Sequence, residues 1–404
     1  MLGSLARRAG VVALGTAGGQ AAVLLATPWM ARQFTPAEFG ALALLITISN
    51  VAMAAACLRF DLALPSAAAR QAGALLRLCL LSALGVGFAM LAGTALYPAL
   101  TGSRVPAPFS TPWLVGLCIL VVGWHQTALG WTTRQQAFAQ LGAIRLFQGL
   151  GFVALTLLTP LGLLWSHAAS FLSALPSLWQ GLRHTRTEQP LRQVAIEQRQ
   201  FPLASLPGAL LDVVGYSLCV WIVTRAYGVA EAGQYAQVQR LVGAPLMLLA
   251  MSLGQVMLGH TASLRDNSHA LAKLVAQAFR LLAACAVSVV ILVVLWGEPT
   301  LRWLLGSQWR VDTEFIAPIA LAVGVRACVS PLTMVLITLQ RFDLALRWQI
   351  AYFASASVVF ITMASWLSLG GFVFVYAIHE CVFYLIYLLL IRAAIRSKCA
   401  ASSA

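Results

Sequence analysis

The sequence predicts an all-α integral membrane protein with about 12 transmembrane helices, arranged as two six-helix lobes related by a parallel repeat. Three observations predict this: the composition, a series of long apolar segments, and a motif that recurs in the second half. Of the 404 residues, 60% are hydrophobic and 9% are charged, and the mean hydropathy is +0.86. Because soluble domains carry charge on about a quarter of their residues, a soluble fold is excluded.

Twelve apolar segments flank a central polar stretch, Arg183–Gln200. At a rise of ~1.5 Å per residue, each is about long enough to cross a hydrocarbon core of ~30 Å as a helix. Helices satisfy their own backbone groups in lipid, and no pattern of alternating strands is present. The first six segments are Gly10–Ala31, Gly40–Cys57, Leu78–Leu100, Pro112–Trp131, Leu141–Thr159 and Leu161–Gly181. The last six are Pro207–Ala226, Gln234–Leu258, Leu281–Gly297, Phe315–Leu339, Trp348–Leu369 and Phe372–Ile391.

These segments predict an N-terminal lobe (1–182), a cytoplasmic linker (183–206) and a C-terminal lobe (207–404). The net charge of +14 could suggest a nucleic-acid partner, but the positions of the charges do not. Most of the 26 Lys and Arg residues, including Arg134, Arg145 and those of the linker, would lie on the side of the N-terminus. The positive-inside rule therefore predicts that both termini and the linker are cytoplasmic.

A short motif supports two lobes of like topology. Arg32–Ala43, between the first two segments, matches Arg225–Ala236, between the seventh and eighth, at five of twelve positions. Since six spans return the chain to its starting side, we expect parallel repeats, as in transporters whose substrate site lies between the halves. A hexapeptide, Arg59–Leu64, also recurs as Arg341–Leu346, but at a spacing that does not fit the repeat. We interpret it as a common way to end a helix at the cytoplasmic surface.

Motifs of enzyme chemistry are missing from the sequence. It contains no GxGxxG or GKS/T phosphate loop, no HExxH and no GxSxG, and its six histidines lack metal-ligand spacing. We therefore expect no catalytic residue, no metal ion and no cofactor, and a protein that is not an enzyme.

Ionisable residues inside membrane spans are costly and are therefore candidate functional groups. One face of the eighth span is polar, and one side of the twelfth combines a carboxylate with tyrosines suited either to stacking on sugars or to packing. The predicted substrate-binding residues are Arg240, Arg326, Gln237, Gln255, Tyr376 and Tyr387. The residues predicted to serve coupling or internal pairing are Asp212, Glu380 and His379. Because the charges of the two acids and two arginines cancel, two purely structural ion pairs are the alternative.

Short motifs in both halves resemble a known family. Phe34–Gly40 and Leu58–Pro65, with Tyr227-Gly228 and Leu305–Trp309 later in the chain, resemble polysaccharide biosynthesis proteins of the O-antigen flippase type. That family belongs to the multidrug/oligosaccharidyl-lipid/polysaccharide flippase superfamily. The resemblance implies a bacterial inner-membrane protein of lipopolysaccharide synthesis. It would move undecaprenyl-diphosphate-linked oligosaccharide from the cytoplasmic to the periplasmic leaflet by alternating access, with cavity cations holding the diphosphate.

The resemblance also implies the partners: the lipid-linked oligosaccharide, membrane lipids and polysaccharide assembly proteins, and no nucleic acid. Two alternatives stay open. A drug or cation antiporter of the same fold would need a net acidic cavity, against which Arg240 and Arg326 argue. A membrane glycosyltransferase or O-antigen polymerase would need a large periplasmic loop or an acidic catalytic motif, and the sequence has neither.

Overall fold

The computed structural model describes residues 2–101, 108–263, 268–339 and 341–403, and every regular element in these ranges is helical. The predicted all-α fold is therefore confirmed. The first helices are α1 (Leu2–Gln33), α2 (Pro36–Ala55), α3 (Ala69–Thr101), α4 (Pro112–Arg134), α5 (Phe138–Leu158), α6 (Gly162–Ser170), α7 (Leu175–His184) and α8 (Leu191–Glu197). The later ones are α9 (Leu206–Tyr227), α10 (Val229–Ser263), α11 (Ser268–Leu292), α12 (Glu298–Leu305), α13 (Thr313–Val329), α14 (Thr333–Thr338), α15 (Phe342–Ala364) and α16 (Leu369–Ser403).

Within the described residues, nine helices are long and apolar enough to cross a membrane, or ten if the bent pair Phe201–Leu211 and Val213–Tyr227 is one span. The predicted span Leu161–Gly181 is instead divided into α6, a 3-10 turn at Phe171–Ala174, and α7. The predicted span Gln234–Leu258 lies within α10. Some side chains of this helix are not among those that the structure describes. Apolar length alone does not reveal such breaks.

The helices also extend beyond the apolar segments. Helix α5 begins at Phe138, three residues before the predicted segment Leu141–Thr159, so Arg145 lies two turns inside a candidate span. Its side chain is half-buried by protein. A charge count based on segment ends misses this, because a helix of a multi-span protein can carry a cation on its protein-facing side.

The chain forms two compact units, Met1–Val220 and Trp221–Ala404. The central polar stretch belongs to the first unit because α8 packs on α3. Val194 of α8 has no exposed surface, and the Gln71 side chain of α3 donates a 2.6 Å hydrogen bond to Glu197. The lobe limits drawn from the sequence, with a separate linker at 183–206, stay a prediction.

Glycines allow α1 and α5 to touch along their backbones in the first unit. A Cβ atom added to Gly15 would overlap the carbonyl group of Gly142, and one added to Gly149 would overlap that of Gly19. Small residues are the usual means by which membrane helices approach closely, since lipid provides no hydrophobic drive for helix association.

The recurring motif begins a helix in both units. Thr35 caps α2: its hydroxyl accepts from the Glu38 N–H (3.3 Å), and the Glu38 carboxylate accepts from the Thr35 N–H (2.8 Å), which is a capping box. In the second unit, Gly228, at φ +109°, separates α9 from α10, and Glu231 lies in the first turn. Both copies therefore join two long helices through one or two residues, as a repeat predicts.

Candidate functional site

The second unit contains a buried ion pair. Arg326 projects from α13 and Glu380 from α16, two helices that pack together. The distance from Arg326 Nη2 to Glu380 Oε2 is 2.8 Å, and that from Nε to the same oxygen is 3.1 Å. The Glu380 side chain is 0% exposed and that of Arg326 is 12% exposed. The structure thus pairs two residues that the sequence analysis had already proposed as partners.

Tyr352 of α15 completes this pair, and the sequence analysis missed it. Its hydroxyl accepts a 3.0 Å hydrogen bond from Arg326 Nη2 and donates one to Glu380 Oε1. A buried ion pair offsets its desolvation cost only when its remaining donors and acceptors are also satisfied, and Tyr352 does this. The spacing of Trp348, Tyr352 and Ser355 along one face of α15 is a signal that could have found it.

His379 lies beside the pair. Its Nε2 atom is 3.2 Å from Ser355 Oγ, and its Nδ1 atom is 4.0 Å from Glu380 Oε1. Among the described residues, Nδ1 has no hydrogen-bond partner. The imidazole also stacks on Phe383, with ring centroids 4.5 Å apart. His379 therefore packs on the Phe383 ring and lies close to the carboxylate of Glu380.

The tyrosines of α16 are packed in this conformation. Tyr387 stacks on Trp348, with ring centroids 4.1 Å apart, and Tyr376 meets Tyr235 edge to face at 5.9 Å. Tyr376 and Tyr387 are both buried, and Tyr384 lies 5.8 Å from the Arg326 guanidinium. Rings packed in this way stiffen the surroundings of the ion pair. Stacking of sugars on Tyr376 and Tyr387 stays a prediction, because it requires a conformation in which these two rings are exposed.

A second polar group lies on α10. Gln237 is buried, and its Nε2 atom has no hydrogen-bond partner among the described residues. Arg240, one turn further on the same face, is half-buried, and no described acidic side chain lies within ion-pair distance of it. Since α10 begins at Val229, Arg240 lies ~16 Å along the helix from its first residue. The side chains of Asp212 and Gln255 lie outside the described residues.

The two arginines therefore differ in what they can bind. Arg326 already has a carboxylate and a phenol as partners, whereas Arg240 presents a guanidinium that no described carboxylate neutralises. A guanidinium stays charged at any physiological pH and offers paired donors that match phosphate or carboxylate. Arg240 with Gln237 is thus a donor-rich face suited to an anion.

Polar groups in the interior of the first unit are paired differently. His167 Nε2 is 3.0 Å from Ser49 Oγ, and His125 Nδ1 is 3.2 Å from the carbonyl oxygen of Phe171. Both imidazoles contact the Phe171 ring edge to face. These hydrogen bonds join neighbouring helices, and the half-buried cations of this unit's described spans include Arg145 on α5.

Comparison with known proteins agrees with this architecture. A family model for polysaccharide biosynthesis proteins matches residues 29–314. No curated protein matches the chain. Among solved structures, an inward-facing multidrug resistance MATE family transporter of the MOP superfamily has a TM-score of 0.67 at 14% identity, over 94% of this chain and 96% of its own.

Two other structures match over similar lengths. The lipid II flippase MurJ, in an inward closed conformation, has a TM-score of 0.73 at 11% identity, over 98% of this chain and 90% of its own. A MOP superfamily transporter from Pyrococcus furiosus, described as having a binding pocket of reversed polarity, has a TM-score of 0.66 at 15% identity, over 97% and 96%. The chain is a multi-pass membrane protein that belongs to the family of polysaccharide biosynthesis proteins and has the fold of MOP superfamily transporters and flippases.

Proposed function

We propose that this protein is a flippase for undecaprenyl-diphosphate-linked oligosaccharide in the bacterial inner membrane, with both termini cytoplasmic. It would carry its substrate from the cytoplasmic to the periplasmic leaflet by alternating access, without covalent chemistry, and so would not be an enzyme. Membership of a polysaccharide biosynthesis family supports a glycan-linked substrate, and the likeness to a lipid II flippase supports a lipid-linked one.

The observation that carries the proposal is the contrast between Arg240 and Arg326. A diphosphate needs donors that are not already neutralised, and among the described residues no carboxylate lies within ion-pair distance of Arg240 and Gln237 Nε2 has no hydrogen-bond partner. Charge-assisted bonds from a guanidinium to phosphate are short and can be bidentate. We therefore assign the diphosphate to Arg240, with the Gln237 amide as a second donor, and keep Arg326 as a ligand only when Glu380 releases it.

The antiporter alternative shares the fold, so the fold does not exclude it. A binder of organic cations, however, places acidic groups toward its ligand, and Glu380 faces Arg326 with no exposed surface. Arg240, half-buried on α10, is a cation, and no described carboxylate lies within ion-pair distance of it. This favours an anionic substrate. A polymerase or glycosyltransferase has no observation in its favour.

Replacement of Arg240 tests the proposal. In a strain that lacks the native protein, we expect the Arg240→Ala variant to reach the same abundance in the membrane as the wild type but to export no glycan. Loss of a charged hydrogen bond costs about 1.5 to 3 kcal/mol, so binding of undecaprenyl diphosphate to the purified protein should weaken about 10- to 100-fold. Native mass spectrometry with a titration of that lipid would measure it.

Arg225 provides the matched control, because it is an exposed arginine in the last turn of α9. Arg225→Ala should export and bind as the wild type does. Arg240→Lys keeps the charge but loses the paired donors, and should show intermediate binding. Wild-type export by Arg240→Ala would remove Arg240 from the site, and drug efflux that depends on Arg240, without glycan export, would favour the antiporter.

A further inference from the structure

An apolar groove lies within the second unit, between α11, α13 and α16, and has a volume of about 400 Å³. Small residues leave it open: Ala283 and Ala286 of α11 line it together with Gly324 of α13. A Cβ atom on Gly324 would meet Ala286 at 3.4 Å, an ordinary contact, so α11 and α13 pack closely here. Val287 of α11 and Leu385 of α16 are more than half exposed at its rim. The groove therefore opens at the surface of this unit.

Two arginines mark one end of the groove. On α16, Leu385 and Leu388 line it, and the next residue on that face is Arg392, whose guanidinium lies 5.8 Å from the ring of the lining residue Phe279. On α11, Arg280 lies one turn before the lining residue Ala283. The side chains of both arginines are exposed.

Carboxylates are scarce on the two helices that carry these arginines. No ion pair involves Arg280 or Arg392 among the described residues. Helix α11 contains no Asp or Glu, and neither does α16 beyond Glu380. This end of the groove therefore presents cations that carboxylates of its own helices do not neutralise.

We propose that the groove binds one acyl chain of an anionic phospholipid whose phosphate lies between Arg280 and Arg392. A wholly apolar groove with a basic end fits an amphiphile with a negative head. Basic pockets between transmembrane helices are known to bind acidic lipid headgroups. The site is separate from Arg240 and does not depend on the proposed transport activity.

The length of the groove favours a phospholipid over a long polyprenyl carrier. Its α11 side runs from Phe279 to Ile291, a separation of 12 residue steps and hence ~18 Å. One leaflet accounts for about half of a hydrocarbon core of ~30 Å. The groove therefore matches a chain confined to one leaflet, with its headgroup at the interface where the arginines lie.

Native mass spectrometry of the full-length protein, after exchange into nanodiscs of equal phosphatidylglycerol and phosphatidylethanolamine, tests the proposal. The wild type should retain one phosphatidylglycerol in preference to phosphatidylethanolamine. The double variant Arg280→Gln/Arg392→Gln should reduce that preference about tenfold. Arg347→Gln, which removes an exposed arginine from α15, a helix that does not line the groove, should leave it unchanged.

A second pair of variants tests the apolar part. Ala283→Leu fills the groove with an apolar side chain, whereas Ala284→Leu adds the same group at an exposed neighbour that does not line it. Only the first should lose the retained lipid. Equal retention of the two lipids by the wild type, unchanged retention in the double arginine variant, or retention of polyprenyl phosphate at this position would overturn the proposal. Arg240→Ala should bind phosphatidylglycerol normally, which separates this site from the proposed transport site.

Discussion

The two compact units differ in how their interiors are held together. In the first, glycines bring α1 and α5 into backbone contact, and the imidazoles of His125 and His167 make hydrogen bonds between helices. In the second, a buried ion pair with an aromatic surround joins α13, α15 and α16, and a further arginine lacks a described acidic partner. A repeated order of helices therefore need not carry repeated chemistry, and among the described residues the ion pairs lie in the second unit.

The largest expected effect comes from breaking the ion pair. Glu380→Ala would leave Arg326 buried without its carboxylate, and removal of one partner from a buried pair costs about 3 to 5 kcal/mol. We expect the melting temperature of the purified protein in detergent to fall strongly. Its abundance in the membrane should fall as well.

The charge swap Arg326→Glu/Glu380→Arg sharpens this test. If the pair only holds the helices together, the swapped protein should recover most of the stability lost by Glu380→Ala and should export the glycan. If Arg326 also binds substrate, the swap should restore stability without export. Stability of Glu380→Ala equal to that of the wild type would mean that the second unit does not depend on its charges.

A smaller effect is expected at the contact of α1 with α5. Gly149→Ala places a Cβ atom against the carbonyl group of Gly19, so the helices must move apart, and overpacking of this kind costs about 1 to 3 kcal/mol. Gly151→Ala is the control, because no atom lies within 4 Å of its added Cβ. Thermal unfolding should show a loss for the first variant and none for the second, and equal melting temperatures would contradict the glycine contact.

The smallest effect concerns the recurring motif. Thr35→Ala removes the cap of α2 and should cost about 1 kcal/mol, whereas Thr35→Ser keeps a hydroxyl and should cost little. The matching position of the second unit uses Gly228 rather than a side-chain cap. If thermal unfolding finds Thr35→Ala as stable as Thr35→Ser, then the capping box does not contribute to the stability of α2.

The sequence predicted the helical class, the family and the residues of the ion pair, because apolar length and buried charge are local properties. It did not predict Tyr352, because a tyrosine in an apolar segment shows its hydrogen bonds only once α15 lies beside α13 and α16. It proposed that Arg326 pairs with Glu380, but it could not show the contact. Whether an arginine is paired depends on which helices touch it, and that is a tertiary property.

The repeated hexapeptide shows the same limit. Its first copy, Arg59–Leu64, follows α2 and forms 3-10 turns, with Arg59 at φ +64°. Asp61 is buried there, and this burial raises the pKa of its carboxyl, whereas the nearby charge of Arg59 lowers that pKa. In the second copy Arg341 directly precedes α15, with its Nε 3.1 Å from Asp343 in an exposed ion pair. The interpretation as a helix ending was wrong for this copy, because the flanking helices, not the six residues, decide the conformation.

The docking of α8 onto α3 has a consequence for protease sensitivity. Segments between halves of a transporter are usual sites for cleavage or for inserted tags, since exposed polar chain tolerates change. Here a cut within Leu191–Glu197 would have to expose Val194 and break the Gln71 to Glu197 hydrogen bond. A Cβ atom added to Gly73 of α3 would overlap the carbonyl group of Arg186, so the chain already lies against α3 at Arg186. A tag or protease site placed at this apparent linker is therefore expected to disturb the first unit.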